Sequence, residues 1–200
     1  ILNVLCYNNY SLNIQKGKHN MFRTIIAAIA VIFIASSAQA SDLLSTKLYI
    51  ETQIGTTVKP DSGRDNSSIM GLSVGKDVGE VRVDLSTIRH SSGDNTTLGE
   101  VEVDSLVGGA YYDINTNSKF TPFVGVNAGY GWADGAGVVS ANDSGIVYGA
   151  SLGVGYKVTD TIDLVTSYQY LTSNTITVTN SSGNEDWDSQ AVTAGVRFRF

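Results

Sequence analysis

From Leu48 to the end of the chain, apolar residues recur at every second position in eight successive stretches. A period of two is that of a β-strand with unlike faces. The first stretch sets Leu48, Ile50, Thr52 and Ile54 against Tyr49, Glu51, Gln53 and Gly55. The second sets Met70, Leu72 and Val74 against Gly71, Ser73 and Gly75, and the third sets Val81, Val83 and Leu85 against Arg82, Asp84 and Ser86. In the fourth, Val101, Val103, Val107 and Tyr111 oppose Glu102, Asp104 and Gly108, while Leu106 and Ala110 blur the register. The fifth runs Pro122, Val124, Val126, Ala128, Tyr130, Trp132 against Gly125, Asn127, Gly129, Gly131. The sixth has Tyr148, Ala150, Leu152, Val154 and Tyr156 opposite Gly149, Ser151, Gly153 and Gly155. The seventh has Ile162, Leu164, Thr166, Tyr168 and Tyr170 opposite Asp163, Ser167 and Gln169. The eighth has Val192, Ala194, Val196, Phe198 and Phe200 opposite Thr193, Gly195, Arg197 and Arg199.

The second face decides the class. It is glycine, serine and isolated charges, which suits a crowded interior better than a solvated surface dense in Lys and Glu. A barrel with its apolar face toward lipid and its small polar face inside has this composition, and closure leaves no open sheet edge in the membrane. The predicted fold is therefore all-β, an eight-stranded antiparallel up-and-down transmembrane barrel. Connections alternate between long (59–67, 90–97, 133–144, 172–188) and short (76–80, 113–119, 157–161), the asymmetry expected of external loops and periplasmic turns. With both termini periplasmic, the aromatics fall into two girdles. Tyr130, Trp132, Tyr148, Tyr168 and Tyr170 belong to the outer one, and Tyr111, Phe120, Tyr156 and Phe198 to the inner.

Residues 21–40, MFRTIIAAIAVIFIASSAQA, read as a cleavable secretory signal. A basic start at Arg23 precedes an apolar run from Ile25 to Ala35 and a small-x-small site at Ala38-Gln39-Ala40. Cleavage is expected between Ala40 and Ser41. The apolar run is too short to span a bilayer, which takes about 20 residues. Residues 1–20 precede the signal, and the expectation is that Met21 is the start and 1–20 is translated upstream DNA. The barrel domain is then 41–200.

Composition sharpens this reading. The 200-residue chain has a net charge of -6 and only 16% charged residues, against about a quarter in soluble domains. Residues 41–200 keep all 19 acidic groups and 10 basic ones, a net charge of -9. That balance argues against nucleic acid as a partner. The single cysteine, Cys6, lies upstream of the signal, so no disulfide framework is expected. No phosphate loop, redox motif or metal cluster stands out, and no cofactor or metal site is predicted.

Two segments carry a resemblance. QAVTAGVRFRF, apolar at Val192, Ala194, Val196, Phe198 and the terminal Phe200, resembles the C-terminal assembly signal of bacterial outer-membrane barrels. Residues 104–135 resemble the centre of the opacity-type "outer membrane protein beta-barrel" family, the small OmpA/OmpX-like barrels of Gram-negative bacteria. In that family a YYD turn precedes a K-x-T-P-(Y/F)-V-G-x-G-x-G-Y strand; Tyr111-Tyr112-Asp113 and Thr121-Pro122-Phe123-Val124-Gly125 match, and Asn127 replaces a small residue. The resemblance implies insertion by the barrel assembly machinery, contact with outer-membrane lipid and lipopolysaccharide, and a monomer in the cell outer membrane. The scaffold itself implies little about activity.

Three functions are open. Eight strands leave an interior that side chains fill, and the register places Glu51, Asp84, Glu102, Asp104 and Asp163 inside with Arg82, Arg197 and Arg199. Buried charges must pair, and Asp163 with Arg197 or Arg199 is the expected pair. This is a structural plug, with a narrow porin-like channel as the alternative. A lipid A-modifying enzyme is the second alternative: His90-Ser91-Ser92 resembles the His-x-Ser of outer-membrane deacylases, with Glu100, Glu102 or Asp104 to orient it. The favoured reading is a non-enzymatic integral outer-membrane barrel with a structural or surface role, the form considered being adhesion or host and environment interaction through its extracellular loops. These sum to about -6 from Lys59 and Arg64 against Asp61, Asp65, Asp94, Asp134, Asp143, Glu185, Asp186 and Asp188. Alternation continues through Ile176 and Val178 to a turn at Asn180-Ser181-Ser182-Gly183. The last hairpin is thus expected to project, with Trp187 on its return arm, and to offer an edge to a partner strand.

Overall fold

The computed structural model describes residues 47–58, 67–91, 100–136, 144–180 and 183–200. The leader, the cleavage site at Ala40 and Ser41, and most of the loop charges fall outside the described residues.

Eight strands pair in chain order and close on themselves: β1 (Lys47–Thr57), β2 (Ser68–Val78), β3 (Val81–Ser91), β4 (Glu100–Asp113), β5 (Phe120–Ala136), β6 (Ser144–Lys157), β7 (Ile162–Asn180) and β8 (Gly183–Arg199). Every ladder is antiparallel, including the closing pair of β1 with β8. The short turns β2–β3, β4–β5 and β6–β7 share one end of the barrel with residues 47 and 200. In the tightest, Val78 pairs with Val81 across a two-residue loop. Gly79 takes a φ of 78° there, a conformation only glycine adopts freely.

Register fixes the barrel's dimensions. Stepping from partner to partner, Lys47 leads through Asp77, Arg82, Tyr111, Gly125, Ser151, Gln169 and Ala191 back to β1 at Thr57, ten residues farther on. A stagger of ten over eight strands sets a tilt of about 40° and a backbone radius of about 8 Å.

The two faces are inverted relative to a water-soluble protein. Ile54, Met70 and Val126 are each 65% exposed on the outer wall, with Val124, Leu152, Leu164 and Val192 around them. An apolar belt that wraps the whole barrel is incompatible with water and matches lipid. Inside, the strands turn charged and polar residues, glycines, and a set of buried aromatic and apolar side chains toward the axis.

Candidate functional site

The lumen is filled, and it is filled differently at its two ends. Toward the turn end the inward residues are charged and aromatic. Arg82, the second residue of β3, points its Nε at both carboxylate oxygens of Asp113, at 2.9 and 2.7 Å. Its guanidinium lies over the rings of Tyr111 and Phe123, 4.8 and 4.9 Å from their centroids. Tyr49, wholly buried, stands between Arg82 and Arg197 and donates its hydroxyl to Asp84 at 3.1 Å. Arg197 binds Glu51 at 2.7 Å and lies 3.9 Å from Asp163, while Arg199 reaches Asp163 at 2.7 Å and Asp77 at 3.1 Å. Arg82, Arg197, Arg199, Glu51, Asp113 and Asp163 each have an opposite charge beside them, and Asp84 accepts hydrogen bonds from the hydroxyls of Tyr49 and Ser86, the conditions under which burial is tolerated.

Above this layer, amides and hydroxyls link neighbouring strands. Tyr111 donates to Asn127 at 2.9 Å, and Asn127 donates to Ser151 at 2.7 Å. Gln169 donates to Gln53 at 3.0 Å, and Ser86 to Ser73 at 2.8 Å. Between these groups a cavity of about 20 Å³ remains, room for about one water.

Toward the loop end the lumen is apolar. Ile69, Ile88, Val103, Val107, Ala133, Val147, Leu171, Ile176, Trp187 and Ala191 form one buried cluster. Four of them lie on β7 and β8, Ile176 and Trp187 in the stretch at the base of the last hairpin. Three extra residues on β7 make a bulge between Ser173 and Thr177. Ser173 Oγ accepts the backbone N–H of Ile176 at 3.2 Å and so turns Ile176 into the barrel mouth. Beyond the bulge the hairpin continues to the pairing of Asn180 with Gly183.

The outer wall carries a charge pair near the loop end. Arg89 binds Asp104 through two hydrogen bonds of 2.7 and 2.8 Å. Its neighbours in register along the wall are Met70 on one side and Trp132 beyond Asp104 on the other.

Several expected positions move. Glu102 and Asp104 face outward, not into the interior charge network, and Tyr111 faces the lumen rather than the inner girdle. On β4 the lipid face is Leu106, Ala110 and Tyr112, while Val103, Val107 and Tyr111 point in. Pairing forces this, because opposed residues share a face and Tyr111 opposes the inward Arg82. Ile176, expected on the outward alternation, is inside because of the bulge. Tyr168 opposes Val192 and Leu152 below the outer girdle and donates its hydroxyl to Gln190 at 2.8 Å. Glu51, Arg82, Asp84, Asp163, Arg197 and Arg199 do line the lumen. Phe120, Tyr130, Tyr148, Tyr156, Tyr170 and Phe198 are exposed on the outer wall, with Trp132 half-buried beside Tyr130. Tyr49 and Asp113 were missing from the expected network, although Tyr49 already had the inward parity of Glu51.

His90, the residue on which the lipid A-modifying alternative rests, does not meet Glu102 or Asp104. Its ring is buried in the lumen, edge-on to Trp187 with centroids 5.3 Å apart. The candidate acids Glu102 and Asp104 sit on the opposite face of the wall, and Asp104 is engaged by Arg89.

The family profile described as "Outer membrane protein beta-barrel domain" matches residues 26–200. The chain belongs to this family. It is an integral protein of the outer membrane. No curated protein matches its sequence. Solved structures share the fold at low identity. Neisserial surface protein A is 21% identical with a TM-score of 0.62, covering 78% of this chain and 97% of that one. The outer membrane protein OprG from Pseudomonas aeruginosa is 14% identical with a TM-score of 0.51, covering 78% and 95%. Ail, the attachment invasion locus protein of Yersinia pestis, solved in complex with the heparin analogue sucrose octasulfate, is 17% identical with a TM-score of 0.50, covering 78% and 98%.

Proposed function

We propose that this outer-membrane barrel is a non-enzymatic surface protein whose loop end binds an external partner, with the β7–β8 hairpin as its principal arm. The observation that carries the reading is the length of that hairpin. β7 and β8 run 19 and 17 residues, against 11 for β2 and β3. Among the described strands, residues 183–189 of β8 pair with β7 alone. A two-stranded ribbon with one edge open to pairing is a platform for strand addition.

Charge narrows the partner. The loop sequences sum to about -6, so long-range attraction favours a basic surface and opposes a polyanion. Ail was solved with a sulfated heparin analogue; the acidic loops here suit the opposite ligand charge. The route to the surface in this proposal is export through residues 21–40, cleavage after Ala40, and recognition of the Val192-to-Phe200 segment by the assembly machinery.

The test is binding of cells that display the intact protein to host cells or matrix, compared with cells displaying a 174–186 deletion. The proposal expects binding that is lost on deletion and weakened by added salt. Salt-insensitive binding, or binding that survives deletion, removes it.

A further inference from the structure

His90 is the one titratable side chain, among the described residues, inside the apolar cluster that closes the loop end. Its partners in register are Ile69 on β2 and Val103 on β4, both buried in that cluster. Trp187 covers it from β8. Nδ1 of His90 is buried without a hydrogen-bond partner. The inward charged groups lie at the other end of the lumen. On its own strand the nearest is Asp84, six residues toward the turn end. From β1 and β2 they are Glu51 and Asp77; from β4, Asp113; from β7 and β8, Asp163, Arg197 and Arg199. Arg89, Glu102 and Asp104 are near in height but face outward through the wall, and Asp186 and Asp188, on either side of Trp187, are exposed while the indole between them is buried. The described part of β5 and β6 near the mouth offers Gly131, Ala133, Gly145 and Val147.

We infer that His90 and Trp187 form an acid-sensitive latch: protonation of His90 releases the base of the β7–β8 hairpin from the barrel mouth. The neutral imidazole packs as an apolar ring and leaves one nitrogen unpaired. Imidazole ionises near pH 6.5 in water. The imidazolium has two N–H donors and a full charge, and none of the described charges faces it. The edge-on indole of Trp187 gives a cation partial compensation, but it cannot accept both donors. Relief requires water at His90, and among the described residues Trp187 of the hairpin lies against its ring, with Ile176 in the same buried cluster. The bulge makes this segment separable, since β7 loses regular pairing with β8 between Ser173 and Thr177. Acidification would thus loosen the arm that the proposed function uses; the latch itself does not depend on that function.

The chain has two tryptophans, so Trp132→Phe leaves Trp187 as the only indole emitter. In that background, acrylamide quenching of the folded protein in detergent micelles reads access to Trp187 directly. The expected result is a quenching constant that rises about threefold or more between about pH 7.5 and pH 4.5. The rise should vanish in both His90→Phe and His90→Asn, two non-titrating replacements of different polarity, each checked for folding by its gel shift on boiling. A fall in intensity with an unchanged quenching constant would mean that the imidazolium merely sits against the indole, and would overturn the latch. So would an equal rise in either folded variant. Binding lost in the 174–186 deletion bears on the proposed function alone, so the two fail independently.

Discussion

Arg82 and Asp113 meet across the β3–β4 ladder at 2.7 Å, with both side chains withdrawn from solvent and the guanidinium covered by aromatic rings. Removing one member leaves the other charge buried and unpaired. Arg82→Ala should therefore cost about 3–5 kcal/mol in urea unfolding from lipid or detergent. The double change Arg82→Met with Asp113→Leu, which removes both charges and retains volume, should fall within about 1 kcal/mol of the parent. Equal losses in the single and double variants would show that packing of Arg82, not pairing, sets the stability.

Gly125 lies beneath the ring of Tyr111, and a Cβ there would overlap that ring and the Ala110 carbonyl. Gly155 faces the same lumen, but a Cβ would meet only the Thr121 carbonyl, at 3.9 Å. Gly125→Ala is expected to destabilise by about 1–3 kcal/mol through overpacking, and Gly155→Ala by far less. Parallel unfolding curves check the contrast; similar losses at both sites would count against a close fit of ring to glycine.

Side chains fill both the polar and the apolar half of the lumen, and the two fillings are expected to block a solute in series. Pure protein in a planar bilayer should show no steady conductance. Trp187→Ala with Ile176→Ala opens only the loop end, and Arg197→Gln only loosens the turn end, so neither variant alone should conduct. Steady current from the unmodified barrel would restore the channel reading.

Phe200 is 71% exposed on the lipid face, and its backbone N–H donates to Leu48 at 2.9 Å. Phe200→Ala keeps that hydrogen bond. Refolded protein should then change stability by less than about 0.5 kcal/mol, while the amount of assembled barrel in cells falls. A large loss in vitro would shift the role of Phe200 from assembly to stability.

Parity made most of the barrel legible in the sequence. In β5, β6 and β8 one face is glycine or polar and the other apolar, so only one register keeps lipid and lumen apart. β4 was misread because its inward residues include Val103 and Val107, which belong to the apolar cap of the lumen. Alternation identifies two faces, but it does not say which is lipid when both are apolar. The adjacent pair Tyr111 and Tyr112 fits either parity. The partner strand resolves it, because Arg82 has to be inside and carries Tyr111 with it. The bulge at Ser173 left a weaker trace, a Ser-Asn-Thr run that interrupts the alternation without a Gly or Pro to mark it.

The outward charge pair has a mechanical meaning as well. Arg89 and Asp104 lie side by side in register between Met70 and Trp132 toward the loop end of the apolar belt. Charged side chains at the bilayer midplane cost about 2–4 kcal/mol each, and close to nothing at the interface. The pair therefore resists a shift that would carry the loop end down into the bilayer, and the outward Lys76 at the turn end resists the reverse shift. Outward charge at both ends of the belt thus bounds the depth at which the barrel is expected to seat, and with it the height of the mouth above the lipid.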